Sequence, residues 1–168
     1  HGPADREMEL RDLTRSGAAP FEGLDKAVPV TVKLSGKRYV YEMRTGRSGI
    51  RTREFSTGVR PWWATLLVLS EHELRPPAMQ AAADSIKRGR TLRLDIRIPD
   101  ARGGHAVKVE AKNPAGKEVP WFSRSVIVED GIAQAELPIA HNEQLGKWTV
   151  TARDLYTGMS STLSFRVK

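Results

Sequence analysis

Between residues 91 and 98 the chain reads Thr-Leu-Arg-Leu-Asp-Ile-Arg-Ile, so Leu92, Leu94, Ile96 and Ile98 alternate strictly with Arg93, Asp95 and Arg97. Successive side chains of an extended strand point to opposite faces, and a period of two commits this segment to a half-buried strand rather than a helix. The same rhythm runs through Val28, Val30, Val32 and Leu34, set against Pro29, Thr31 and Lys33. Pro29 suits a strand start or an edge, because it has no N–H to donate to a ladder.

Turn chemistry separates such runs along most of the chain. Strands are predicted over 28–34, 39–43, 50–55 and 62–69, divided by Ser35-Gly36, Thr45-Gly46 and Thr57-Gly58. Arg75-Pro76-Pro77 cannot sit inside a central strand or a helix and marks a boundary. Seven further strands follow, over 79–84, 91–98, 106–112, 121–128, 132–137, 147–154 and 160–167. Short strands with evenly spaced turns read as an immunoglobulin-like β-sandwich. The expected fold is therefore all-β: a lead-in at 1–27, beginning with a His1-Gly2-Pro3 scar, a small sheet module at 28–75 and a sandwich at 76–168. A short echo links the two modules, Arg44-Thr45-Gly46-Arg47-Ser48 with Tyr156-Thr157-Gly158-Met159-Ser160, although five residues of hairpin turn do not make a repeat.

Length and composition narrow the remaining classes. A chain of 168 residues without cysteine has no disulfide framework, thiolate metal site or cysteine nucleophile. The longest apolar run, residues 62–69, is far short of the roughly 20 residues of a membrane helix, so no membrane insertion is expected. The net charge of +7 is spread evenly: residues 1–75 carry 13 basic and 10 acidic groups, residues 76–168 carry 14 and 10. One local excess stands out, where Lys33, Lys37, Arg38, Arg44, Arg47, Arg51 and Arg53 face the single acid Glu42. It is a candidate patch for an anionic ligand, and polyanion or nucleic-acid binding there would require steep salt dependence.

Catalytic chemistry finds no signature. Gly46-Arg47-Ser48-Gly49 lacks the spacing of a nucleophile elbow. His72, His105 and His141 are far apart in sequence and fall in no metal-binding arrangement, so they read as surface residues. Asp100, Asp130 and Asp154 near strand ends read as turn caps rather than a calcium loop. No catalytic residue, metal or cofactor is expected, and nucleic acid is not an expected partner.

Aromatic residues are the stronger candidates for binding. Neighbours in a strand face opposite ways, so one of Trp62 and Trp63, and one of Trp121 and Phe122, should point away from its own core. An outward Trp can fill a contact with another domain or stack on a sugar ring. The strand predicted over 62–69 is apolar on both faces, which favours a contact between modules.

Two groups of residues carry a resemblance. Tyr39-Val40-Tyr41-Glu42-Met43-Arg44-Thr45-Gly46-Arg47 and Ala64-Thr65-Leu66-Leu67-Val68-Leu69 resemble the β region after the catalytic part of large bacterial β-galactosidase-like proteins, notably of planctomycetes. Asn113-Pro114-Ala115-Gly116-Lys117-Glu118-Val119-Pro120-Trp121 and the run from Gly146-Lys147-Trp148 to Tyr156-Thr157-Gly158 resemble the sandwich appended to them, which is also similar to macroglobulin-type domains. The resemblance covers about residues 28–168 and implies a non-catalytic accessory module of a larger secreted, periplasmic or cell-surface protein. Its partner would be an upstream domain of the same protein, with a polysaccharide as the alternative ligand.

Overall fold

The computed structural model describes residues 26–60, 63–99 and 103–168. Eleven strands and one 3-10 turn make up the ordered elements among these residues. The fold is all-β, and its C-terminal part is an immunoglobulin-like sandwich. The described residues form two compact units, one of 26–33 with 54–60 and 63–65, the other of 34–53 with 66–99 and 103–168.

Strands β1 (Val28–Glu42), β2 (Arg47–Val59) and β3 (Leu67–Ser70) form a sheet in the order β2-β1-β3. The predicted break at Ser35-Gly36 is absent. No backbone at Gly36 enters the left-handed region that a tight turn would use, and β1 runs straight through it. The turn at Thr45-Gly46 is present: Gly46 has φ of 65° and its N–H donates to the Glu42 carbonyl at 3.0 Å. Thr57-Gly58 lies inside β2, not in a turn. The strand predicted over 62–69 begins only at Leu67. Trp63 instead closes an isolated bridge to Arg60, so the two-faced apolar strand on which an intermodule contact was expected does not extend to it. Trp62, Asp100 and the lead-in up to residue 25 lie outside the described residues.

The sandwich packs β4 (Ala78–Ala81), β6 (Thr91–Arg97) and β9 (Ile132–Pro138) as one sheet, ordered β4-β6-β9. The other is ordered β5-β11-β10-β7-β8, from β5 (Ser85–Ile86), β11 (Ser160–Val167), β10 (Gly146–Asp154), β7 (His105–Lys112) and β8 (Arg124–Val128). The strand predicted over 79–84 is divided between the sheets. Ala78–Ala81 pairs antiparallel with β6, and Ser85–Ile86 pairs parallel with β11. Ala81-Ala82-Ala83 carries too little apolar volume to hold the chain on one face, and Met79 and Ile86 anchor the two halves on the shared core.

Alternation on facing strands builds that core. Leu92, Leu94 and Ile96 of β6 pack in one cluster with Val107, Val109 and Ala111 of β7 and Trp148, Val150 and Ala152 of β10. Trp148 meets the Phe122 ring edge-on at 5.7 Å and stacks on Phe165 at 6.3 Å. The outer face of β6 is polar, with Arg93 on Glu136 at 3.2 Å and Gln134 donating to Asp95. The strand predicted over 121–128 starts at Arg124, because Pro120–Phe122 forms a 3-10 turn. Proline is pre-set for a helical first position and cannot donate to the β7 ladder, which explains the late start.

Candidate functional site

Two loops at one end of the sandwich form a concavity. Antiparallel pairing sets Thr149 of β10 opposite Lys112 of β7, so the loop leaving β7 and the loop entering β10 emerge at the same end. The first loop is wound around Asn113, whose side-chain oxygen accepts the N–H groups of Ala115 at 3.1 Å and Lys117 at 3.0 Å. The second is tied to the core by Trp148, whose indole N–H donates to the Gln144 carbonyl at 2.8 Å. The loops also meet directly. Gly146 has φ of 126°, and a Cβ there would approach Pro114 Cγ to 3.1 Å, so glycine permits this approach.

Trp121 and Phe122 divide as the sequence suggests, although on a 3-10 turn and not a strand. Phe122 is buried against Trp148, and Trp121 is 68% exposed. Its indole N–H donates to Glu143 Oε1 at 3.0 Å, across from one loop to the other. Asn113, Lys117, Glu118, Asn142 and Gln144 complete a groove of about 650 Å³ beside the ring. The loop residues Asn142, Glu143 and Gln144 were not singled out from the sequence. The signal for them is the register of β7 against β10, which no local pattern encodes.

A second cluster is buried at the β10–β11 turn. Asp154 is fully enclosed and accepts hydrogen bonds from the N–H groups of Tyr156 and Thr157, both at 3.2 Å, and from the Thr157 hydroxyl at 2.7 Å. His105 Nδ1 lies 3.4 Å from Asp154 Oδ1, the oxygen that accepts the Tyr156 N–H, while both Thr157 bonds fall on Oδ2, and the His105 ring packs on Tyr156 at 5.0 Å. Burial pushes the Asp154 carboxyl upward, but the hydrogen bonds from His105, Thr157 and Tyr156 outweigh it and hold the group below its ordinary value. His105 is thus a buried residue and not the surface histidine expected, whereas Asp154 is the turn cap its position suggests.

The root of the β1–β2 hairpin adjoins this cluster. The Thr45-Gly46 and Thr157-Gly158 turns touch: a Cβ on Gly158 would stand 3.3 Å from the Gly46 Cα. Tyr41 is buried, and its hydroxyl accepts the Leu74 N–H at 2.7 Å. Burial pushes the Tyr41 phenol above its usual range, the charges of Glu73 and Asp154 adding to the effect and the Leu74 hydrogen bond opposing it.

Lys33 lies 3.9 Å from Glu54, Arg38 pairs with Glu71 at 3.0 Å, and Arg51 sits over the Tyr39 ring at 5.9 Å. Lys37, Arg44 and Arg53 share the same hairpin, and the Arg47 side chain lies outside those described. Trp63 is exposed. Among the described residues no three His, Asp or Glu side chains converge as metal ligands would.

No protein-family profile matches the chain, and no curated protein matches it. Among solved structures it is similar to a DUF4785 family protein from Legionella pneumophila, with a TM-score of 0.44 and 9% sequence identity. The likeness covers 88% of this chain and 58% of that one.

Proposed function

We propose that the chain is a non-catalytic β module that supports or recognises other parts of a larger protein. One observation carries this reading. The acid–base pair His105 and Asp154 is spent on architecture: Asp154 holds the β10–β11 turn, and the hydroxyl of Thr157 is bonded to Asp154, not to His105. A hydrolytic triad needs the reverse order, with the hydroxyl on the histidine and the carboxylate behind it. Enclosure of Asp154 also denies a substrate any approach to it.

The setting we propose is an exported or cell-surface, carbohydrate-active parent with an upstream domain as partner, on the strength of the residues that resemble such proteins. The less supported reading is polyanion capture by the basic hairpin, since Lys33 and Arg38 already face Glu54 and Glu71. The test is turnover of chromogenic glycosides, esters and peptides by the purified chain. The expected rate equals that of buffer; turnover abolished by Asp154→Asn or Glu143→Gln in a folded variant contradicts the proposal.

A further inference from the structure

We infer that the groove beside Trp121 binds a neutral saccharide, with the indole face as the platform for one sugar ring. The inference goes beyond the role proposed above, adding a ligand outside the parent protein, and stands on separate residues. Exposed tryptophan is costly to leave in water, and here it is carried on the most constrained part of the loop. Pro120 and Phe122 flank it, Phe122 is sunk in the core, and the Phe122 and Ser123 N–H groups close the 3-10 turn at 3.0 Å. The ring therefore meets a ligand without first being ordered, which removes part of the entropic cost of binding.

Glu143 decides what kind of ligand suits the ring. A tryptophan that reads a peptide commonly offers its N–H to a backbone carbonyl, but this N–H is already held at 3.0 Å by a carboxylate that is itself almost wholly buried. What remains to a ligand is the apolar π face, which fits the C–H face of a pyranose. Around it stand groups that bond hydroxyls in both senses: the amides of Asn142 and Gln144, the ammonium of Lys117 and the carboxylate of Glu118. Charge gives a polyanion no cluster of cations to hold, since the lining carries Lys117 alone against Glu118 and Glu143, with Lys112 3.9 Å from Glu118. The volume of about 650 Å³ lies in the range of small-ligand sites, room for one or two sugar rings of a longer chain that leaves at the open side.

The experiment uses the intact chain and hexasaccharides of β-1,4-linked glucose, xylose, mannose, galactose and N-acetylglucosamine, with polygalacturonate and a proline-rich decapeptide as the contrasting probes. Binding is followed by calorimetry and by indole fluorescence. One or more of the neutral sugars should bind saturably, Trp121→Ala should weaken it roughly tenfold or more, and Trp121→Phe should recover part of the loss. Near-UV circular dichroism and the melting temperature report that each variant keeps the Trp148 core. Failure of every neutral sugar to bind up to its solubility limit, binding unchanged in Trp121→Ala, or Trp121-dependent binding of the decapeptide or polygalacturonate alone each overturns the inference. Absence of binding leaves the non-catalytic reading standing, and turnover of a bound sugar breaks that reading while leaving the groove, so the two failures are distinguishable.

Discussion

Strand β6 buries Leu92, Leu94 and Ile96 almost completely, whereas Val28 and Val30 at the start of β1 stand 58% and 39% exposed, although both segments alternate apolar with polar residues. The difference lies in what faces them. In β6 the apolar side meets Val107, Val109 and Trp148 from a second sheet, and each strand covers the other. The start of β1 is held by its ladder to β2, by Thr31 on Ser56 at 3.3 Å and by the long Lys33–Glu54 pair, all of them exposed. Among the described residues the start of β1 pairs with β2 alone, and a two-stranded ribbon is marginal in water without a second layer. A period of two thus identifies which residues share a face, and a second layer decides whether that face contributes to stability.

The largest effect that would break this contrast is at Trp148. Trp148→Ala removes a fully buried ring and its hydrogen bond to Gln144, and should cost about 3–5 kcal/mol in urea unfolding. Val30→Ala should fall within about 0.5 kcal/mol, the range of surface changes. Equal losses at the two positions would erase the distinction.

Next in size is Asp154. Asp154→Ala leaves the Tyr156 and Thr157 donors without an acceptor, and the cost per stranded buried donor is about 1–3 kcal/mol. Because the native carboxyl is held below its ordinary value, its contribution is complete above the unfolded value of about 3.9 and is lost as pH falls through the lower native value. The urea midpoint of the native chain should therefore decline on acidification below about pH 4, and Asp154→Asn should flatten that limb. An unchanged acid limb in the variant would show that Asp154 does not carry it.

Gly158→Ala is smaller and sharper. With φ of 74° and Gly46 Cα 3.3 Å from the new Cβ, the substitution forces strain and should cost about 1 kcal/mol or more. Thermal unfolding monitored by circular dichroism reads it, and an unchanged melting temperature would mean that the two turns part freely.

These positions also indicate what the sequence made legible. Strand β6 is readable because its neighbours in sequence are its evidence, and the turns at Gly46 and Gly158 because positive φ selects glycine there. Long-range pairing is not. Whether Ser35-Gly36 turns depends on a partner strand that extends past it, and His105 is buried because β10 brings Asp154 beside it from 49 positions away. The groove shares this origin: Trp121 stood out as one of a pair of aromatic neighbours, but Glu143 became its partner only through the meeting of two loops. At Trp121-Phe122 one ring faces inward and the other outward, but on a 3-10 turn started by Pro120 and not on the alternating strand that the pair of neighbours suggests.

The most direct test of the contrast between covered and uncovered strands is native-state amide hydrogen exchange of the whole chain, resolved by residue. The core strands should exchange only through global unfolding, with Leu94, Trp148 and Val150 amides protected to the full stability of the sandwich, and amides of Val30 to Val32 and Glu54 to Ser56 should exchange orders of magnitude faster through local opening. Equal protection across the two regions would contradict the account, because ladder hydrogen bonds alone would then hold the ribbon as firmly as a packed core.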